Sequence, residues 1–174
     1  VQGTPGDPEG RVDGRAPSVA PGARVLLIGI GNDLRGDDGA GPRVARALEG
    51  RLPWDVRVAH GLAPELADDL VACDVALFVD ADADPTLLHP TWRRHPDPIA
   101  ATAAGRPVLG HALDVPGLLR LCAGLHGRVP QAATLSLPAR DFGLREALSP
   151  VAEEGVAIAV ATLLALAGGG SRQA

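Results

Sequence analysis

Lysine is absent from this 174-residue chain, and all sixteen basic residues are Arg. Schiff-base catalysis and a P-loop lysine are thereby excluded. Serine is scarce: only Ser18, Ser136, Ser149 and Ser171 occur, and none stands in a G-x-S-x-G elbow. Two lie in expected tails, one inside an expected strand and one at an expected helix cap, which argues against a serine hydrolase. The two cysteines, Cys73 and Cys122, have apolar surroundings and no C-x-x-C spacing. They read as buried reduced thiols rather than as a disulfide, a zinc knuckle or a nucleophile. Positive charge is in deficit, at a formal net charge of −5, so neither nucleic acid nor an anionic membrane surface is expected as a partner. The longest apolar run, residues 156–167, is shorter than the about 20 residues that span a bilayer. The N-terminus lacks the basic start and apolar stretch of a secretory leader. A soluble, cytoplasmic, monomeric protein is the expectation.

What is present is the pattern of a single α/β domain. Residues 1–22, rich in Gly, Pro and charge, have no apolar periodicity and are expected to form a flexible tail. The domain is expected over 23–168, with a second short tail at 169–174. Continuous apolar runs at 24–30 and 75–79 suit strands buried on both faces of a parallel sheet. Residues 55–60 alternate and 132–137 read as another strand, while 91–95 fits an edge strand. Helical spacing begins near Asp38, resumes after Pro64, covers 112–125, and returns after Ser149-Pro150, where Ser149 is the expected N-cap. Strands alternating with helices predict a three-layer sandwich: a mostly parallel, five-stranded twisted sheet with helices on both faces. In such sheets ligand groups collect at the carboxyl ends of strands.

The loop after the first strand reads Gly29-Ile-Gly-Asn-Asp-Leu-Arg-Gly-Asp-Asp-Gly-Ala-Gly41. It is not a dinucleotide fingerprint. G-x-G-x-x-G would need glycine where Leu34 stands, and His60 occupies the place of the ribose-binding acid. Paired carboxylates at the mouth of a strand would repel phosphate and suit a cation. One of them, Asp37 or Asp38, is expected to cap the first helix while the other faces the cleft. Asp38 after the first strand, Asp80 closing the 75–79 strand and one of five histidines are the candidates. His111 stands out because Gly110 precedes it and a helix follows. Two carboxylates and an imidazole suit a divalent transition ion such as zinc or nickel.

The same loop resembles the G-x-G-N-x-L-x-x-D-[DE]-x-x-G signature of nickel-iron hydrogenase maturation endopeptidases. Further resemblance lies in Phe78-Val-Asp-Ala81, Leu62-Ala-Pro-Glu-Leu-Ala67 and Ala147-Leu-Ser-Pro150, so it extends over roughly 24–168. The resemblance implies a phosphorylase/hydrolase-like fold and a nickel site whose three ligands fall on Asp38, Asp80 and His111, these also being the catalytic residues. It implies an enzyme that removes a C-terminal extension from the precursor of a hydrogenase large subunit once nickel has been inserted. That nickel would arrive with the substrate, and zinc or cadmium could stand in for it in a crystal. Two other readings remain open at this point: a maturation chaperone that docks the nickel-loaded precursor without cutting it, and a nucleotide-binding α/β protein.

Overall fold

The computed structural model describes residues 14–98 and 113–169. The strands are β1 Val25–Ile30, β2 Asp55–Ala59, β3 Val75–Asp82, β4 Thr91–His95 and β5 Gln131–Pro138. The helices are α1 Ala40–Leu48, α2 Leu66–Ala72, α3 Val115–His126 and α4 Pro150–Gly169, with a short 3-10 turn at Gly36–Gly39. The sheet order is β2-β1-β3-β5-β4. Four strands run parallel, and the edge strand β4 runs antiparallel to β5. The expected architecture is the observed one.

Period-two alternation divides the core between the two faces. Leu27, Leu77, Val79 and Leu135 pack with Val44 and Leu48 of α1 and with Ala159 and Leu163 of α4. Leu26, Ile28 and Phe78 pack on the opposite face with Leu70 of α2 and with Leu118 and Cys122 of α3. Beyond Phe78 on that second face the residues turn polar. Asp80 is in register with Ser136, and Phe78 with Thr134. This is where a cavity opens.

Two expectations are corrected. β3 runs on to Asp82, so Asp80 lies inside the strand rather than just past its end. Over 14–22 the chain has neither helix nor strand, yet Pro17 is buried and Val19 packs on the core, so this part of the expected tail rests on the domain. The last helix starts at Pro150, as expected, and reaches beyond the apolar run at both ends. Its 20 residues, at mean hydropathy 1.7, are long and apolar enough to cross a membrane by length and composition. In this fold α4 is an outer-layer helix whose Ala152, Gly155, Ala159 and Leu163 form the buried stripe.

Candidate active site

Glycine makes the loop after β1 possible. Gly31 has φ +136, and a Cβ there would strike the carbonyl oxygen of Asp38. A Cβ on Gly41 would strike the carbonyl oxygens of both Ile30 and Val79. The first turn of α1 therefore lies directly across the carboxyl ends of β1 and β3, an approach open only to a residue without a side chain. Asp38 precedes that crossing by three residues and Asp80 follows Val79, near enough for the Asp38 charge to act on Asp80.

The adjacent aspartates have separate tasks. The N-cap of α1 is Gly39, and no side chain caps that helix, so the expected capping role for Asp37 or Asp38 is corrected. Asp37 turns inward and is fully buried. Its Oδ2 accepts from Arg140 N at 2.7 Å, Asp141 N at 3.0 Å and Ser149 Oγ at 2.7 Å, and its Oδ1 accepts from Ser149 N at 2.6 Å. Burial works against the charge, but these donors prevail and hold the carboxyl below its ordinary value. Ser149 N-caps α4, its Oγ accepting from Ala152 N at 3.4 Å, so Asp37 secures the start of α4 rather than that of α1. Asp38 points the other way and is half-buried, its Oδ2 accepting from Asn32 N at 2.9 Å.

Asp80 lacks such support. Burial drives its carboxyl up to about 6; the Ala81 N–H opposes this, and the charges of Asp38 and Asp82 add to it. A carboxylate raised in part by a like-charged neighbour gains from a cation placed between the two. The donor chemistry fits a divalent ion for the two aspartates. His111 lies outside the described residues, and among the described residues no three His, Cys, Asp or Glu side chains form a metal-holding group.

The cavity beside Asp80 has a volume of about 490 Å³. Its walls include Asp80, Ser136, Thr134, Arg93 and His95 from the sheet, with Asp114 and Arg120 from the start of α3. Asp114 N-caps α3, accepting from Gly117 N at 2.7 Å. His95 was not singled out from the sequence, although alternation along 91–95 places it on the face of Thr91 and Arg93. Its Nε2 lies 2.8 Å from Thr134 Oγ1, while its Nδ1 is buried without a hydrogen-bond partner. Burial and the nearby Arg93 charge push the ring down to about 4, so it is neutral at pH 7. His95 pairs with Ala132 while Asp80 pairs with Ser136. The two are thus four positions apart along β5, and among the described residues they belong to no metal-holding group.

Cys73 and Cys122 are buried and free, as expected, and burial pushes the Cys73 thiol up to about 11. Neither is poised as a nucleophile.

No protein-family model and no curated protein matches the sequence. Solved structures do match. A [NiFe] hydrogenase maturation protease HycI from Thermococcus kodakarensis KOD1 aligns with a TM-score of 0.64 and 22% identity over 84% of this chain and 93% of its own. A hydrogenase 2 maturation peptidase from a Thaumarchaeota archaeon aligns with 0.62 and 25% identity over 83% and 98%. The hydrogenase maturating endopeptidase HybD of E. coli aligns with 0.59 and 22% over 82% and 90%. The fold is that of the hydrogenase maturation proteases. The likeness extends over 82–84% of this chain and at least 90% of each of these solved chains.

Proposed function

We propose that this protein is an endopeptidase of hydrogenase maturation that recognises nickel in the precursor of a nickel-iron hydrogenase large subunit and releases its C-terminal extension. The reading is supported by the α1 crossing over β1 and β3, which sets Asp38 near enough for its charge to act on Asp80, itself held up at about 6 chiefly by burial. The shared fold supports it, and so does the cavity. Its lining includes Asp80 and His95, which stand four register positions apart along β5, and so offers room for a stretch of peptide chain.

In this reading the metal belongs to the substrate, held by the precursor's own side chains. Asp38 and Asp80 supply two protein ligands and His111 the third, so docking succeeds only on a precursor that already carries the ion. Bound nickel would polarise the scissile carbonyl or acidify a water. The chain's own part is to present both carboxylates to the ion, to keep Asp38 oriented through Asn32 N, and to receive the substrate chain in the cavity beside Asp80. Asp80 must lose its proton to bind a cation, so processing should fall as pH drops below about 6. The partner implied is the precursor protein; cytoplasmic location and a monomeric state belong to the same proposal.

Purified protein incubated with nickel-loaded and nickel-free precursor, with the released peptide followed by mass, provides the test. Cleavage of the loaded form alone is expected. Asp38→Asn should cut the rate at least about 100-fold with the fold intact, since the amide is nearly isosteric but a poor ligand. Full cleavage by that variant would remove the metal-site reading. Nickel-dependent binding without any cleavage would instead favour a docking chaperone.

A further inference from the structure

Asp38 and Asp80 come from separate segments, and a site shared between them needs something to hold those segments in register. We propose that Arg140, which no reading of the sequence singled out, is that positioning residue: it fastens the Asp37–Asp38 loop to the turn that follows β3 and so sets how the two carboxylates face one cation. The inference rests on the metal-site reading above.

The connection can be followed atom by atom. The Arg140 N–H donates to Asp37 Oδ2 at 2.7 Å, and the Asp37 N–H donates to Asp141 O at 2.8 Å. Residue 37 thus grips residues 140 and 141 through both its side chain and its backbone. The Arg140 guanidinium reaches the other way. One terminal nitrogen donates to Ala139 O at 2.8 Å and Asp84 O at 3.2 Å; the other donates to Leu87 O at 2.6 Å and Pro85 O at 3.3 Å. Between them lies Ala139, whose N–H donates to Asp82 O at 3.0 Å. The chain from Asp82 to Leu87 is therefore held at four carbonyls by two consecutive residues, and those residues are anchored on the neighbour of Asp38.

Arg fits this task for a chemical reason. Its planar fork presents five fixed N–H donors, enough to bridge several carbonyls at once, whereas a lysine ammonium is a compact group on a flexible stem. Arg140 is exposed. Its removal should then cost little global stability, because water can satisfy carbonyls at the surface, while the local register it imposes is lost. That combination separates positioning from general support of the fold.

Arg140→Gln is the test, with Arg140→Lys beside it. Amide hydrogen exchange should accelerate about tenfold in Arg140→Gln both at Leu87, whose N–H bonds to Asp84 O, and at Asp37 and Asp38 in the β1 loop. KM for nickel-loaded precursor should rise roughly 10-fold or more, the range seen when groups that orient metal ligands are removed, with a smaller change in kcat. Affinity of the isolated protein for free Ni2+, measured by calorimetry, should fall similarly. Arg140→Lys should lie between Arg140→Gln and wild type. The double variant with Asp38→Asn should bind Ni2+ no worse than Asp38→Asn alone, since Arg140 acts through the placement of that ligand. Unchanged exchange in the β1 loop, or wild-type KM and Ni2+ affinity in Arg140→Gln, would overturn the inference. Should wild-type protein neither bind nickel nor process the loaded precursor, the proposed function falls by itself, and the exchange measurement still decides whether Arg140 couples the two segments.

Discussion

Asp37 and Asp80 lie at the same edge of the sheet, yet the structure treats their carboxylates in opposite ways. Asp37 is fully buried and surrounded by four hydrogen-bond donors from residues 140, 141 and 149, and it stays below the ordinary range. Asp80 is partly buried on a face where the groups turn polar, and it rises to about 6. A satisfied carboxylate stabilises the folded chain and has no capacity left for a ligand. An unsatisfied one destabilises it and keeps its lone pairs for something else. The contrast assigns Asp37 to architecture and leaves Asp80 open to the chemistry proposed above.

The largest way to break this contrast is Asp37→Ala. It would leave three backbone N–H groups and the Ser149 hydroxyl without their acceptor, at about 1–3 kcal/mol for each donor that water does not reach. We expect a loss of roughly 4 kcal/mol in urea unfolding, a large part of the stability of an ordinary domain. A change under about 1 kcal/mol would show that the network is not what holds the 139–149 segment in place. The pH dependence has a definite sign. The folded carboxyl lies below its unfolded value of 3.8, so its contribution is complete above that value and is lost as pH falls through the folded one.

Asp80 should behave in the reverse sense. Its folded value of about 6 exceeds the unfolded 3.8. Between those values the folded chain keeps a proton that the unfolded chain has released, so stability should decline as pH rises from about 4 to 6 and level off above. The shift corresponds to about 3 kcal/mol. Asp80→Asn should remove that slope and unfold later than wild type at pH 7, while losing processing. A variant less stable than wild type at pH 7 would mean that Asp80 is a second structural carboxylate.

Much of this was legible in the sequence, for reasons that can be named. β1, β3 and β5 are parallel and buried on both faces, so they read as apolar runs, and carboxylates at their carboxyl ends mark a site by position. Helix α3 announced itself by spacing over 112–125, though its cap, Asp114, was seen only in the structure. The end of β3 was misjudged because Asp80 and Asp82 are polar residues still paired in the ladder with Ser136 and Pro138. The anchoring role of Asp37 was out of reach, and only a helix cap was expected of it: its partners lie more than 100 residues away, and no local pattern reports a contact of that range. Arg140 escaped for the same reason, since its carbonyl partners beyond Ala139 are more than 50 residues distant. His95 was within reach of alternation along β4, but only the sheet order places that face beside Asp80.

The smallest expected effect lies on the groove floor. Thr134→Val removes the hydroxyl 2.8 Å from His95 Nε2, in a ring whose Nδ1 is already buried without a partner. The ring is neutral, so the loss is that of one neutral hydrogen bond, about 1 kcal/mol in urea unfolding. Thr134→Ser keeps the hydroxyl and should recover most of it. If serine is as damaging as valine, the Thr134 methyl group matters for packing and the hydrogen bond does not. A loss near 1 kcal/mol here, set against roughly 4 for Asp37→Ala, would mean that bonding is dense where the β1 loop is anchored and sparse along the groove. That sparseness suits a surface whose remaining partners come with the substrate.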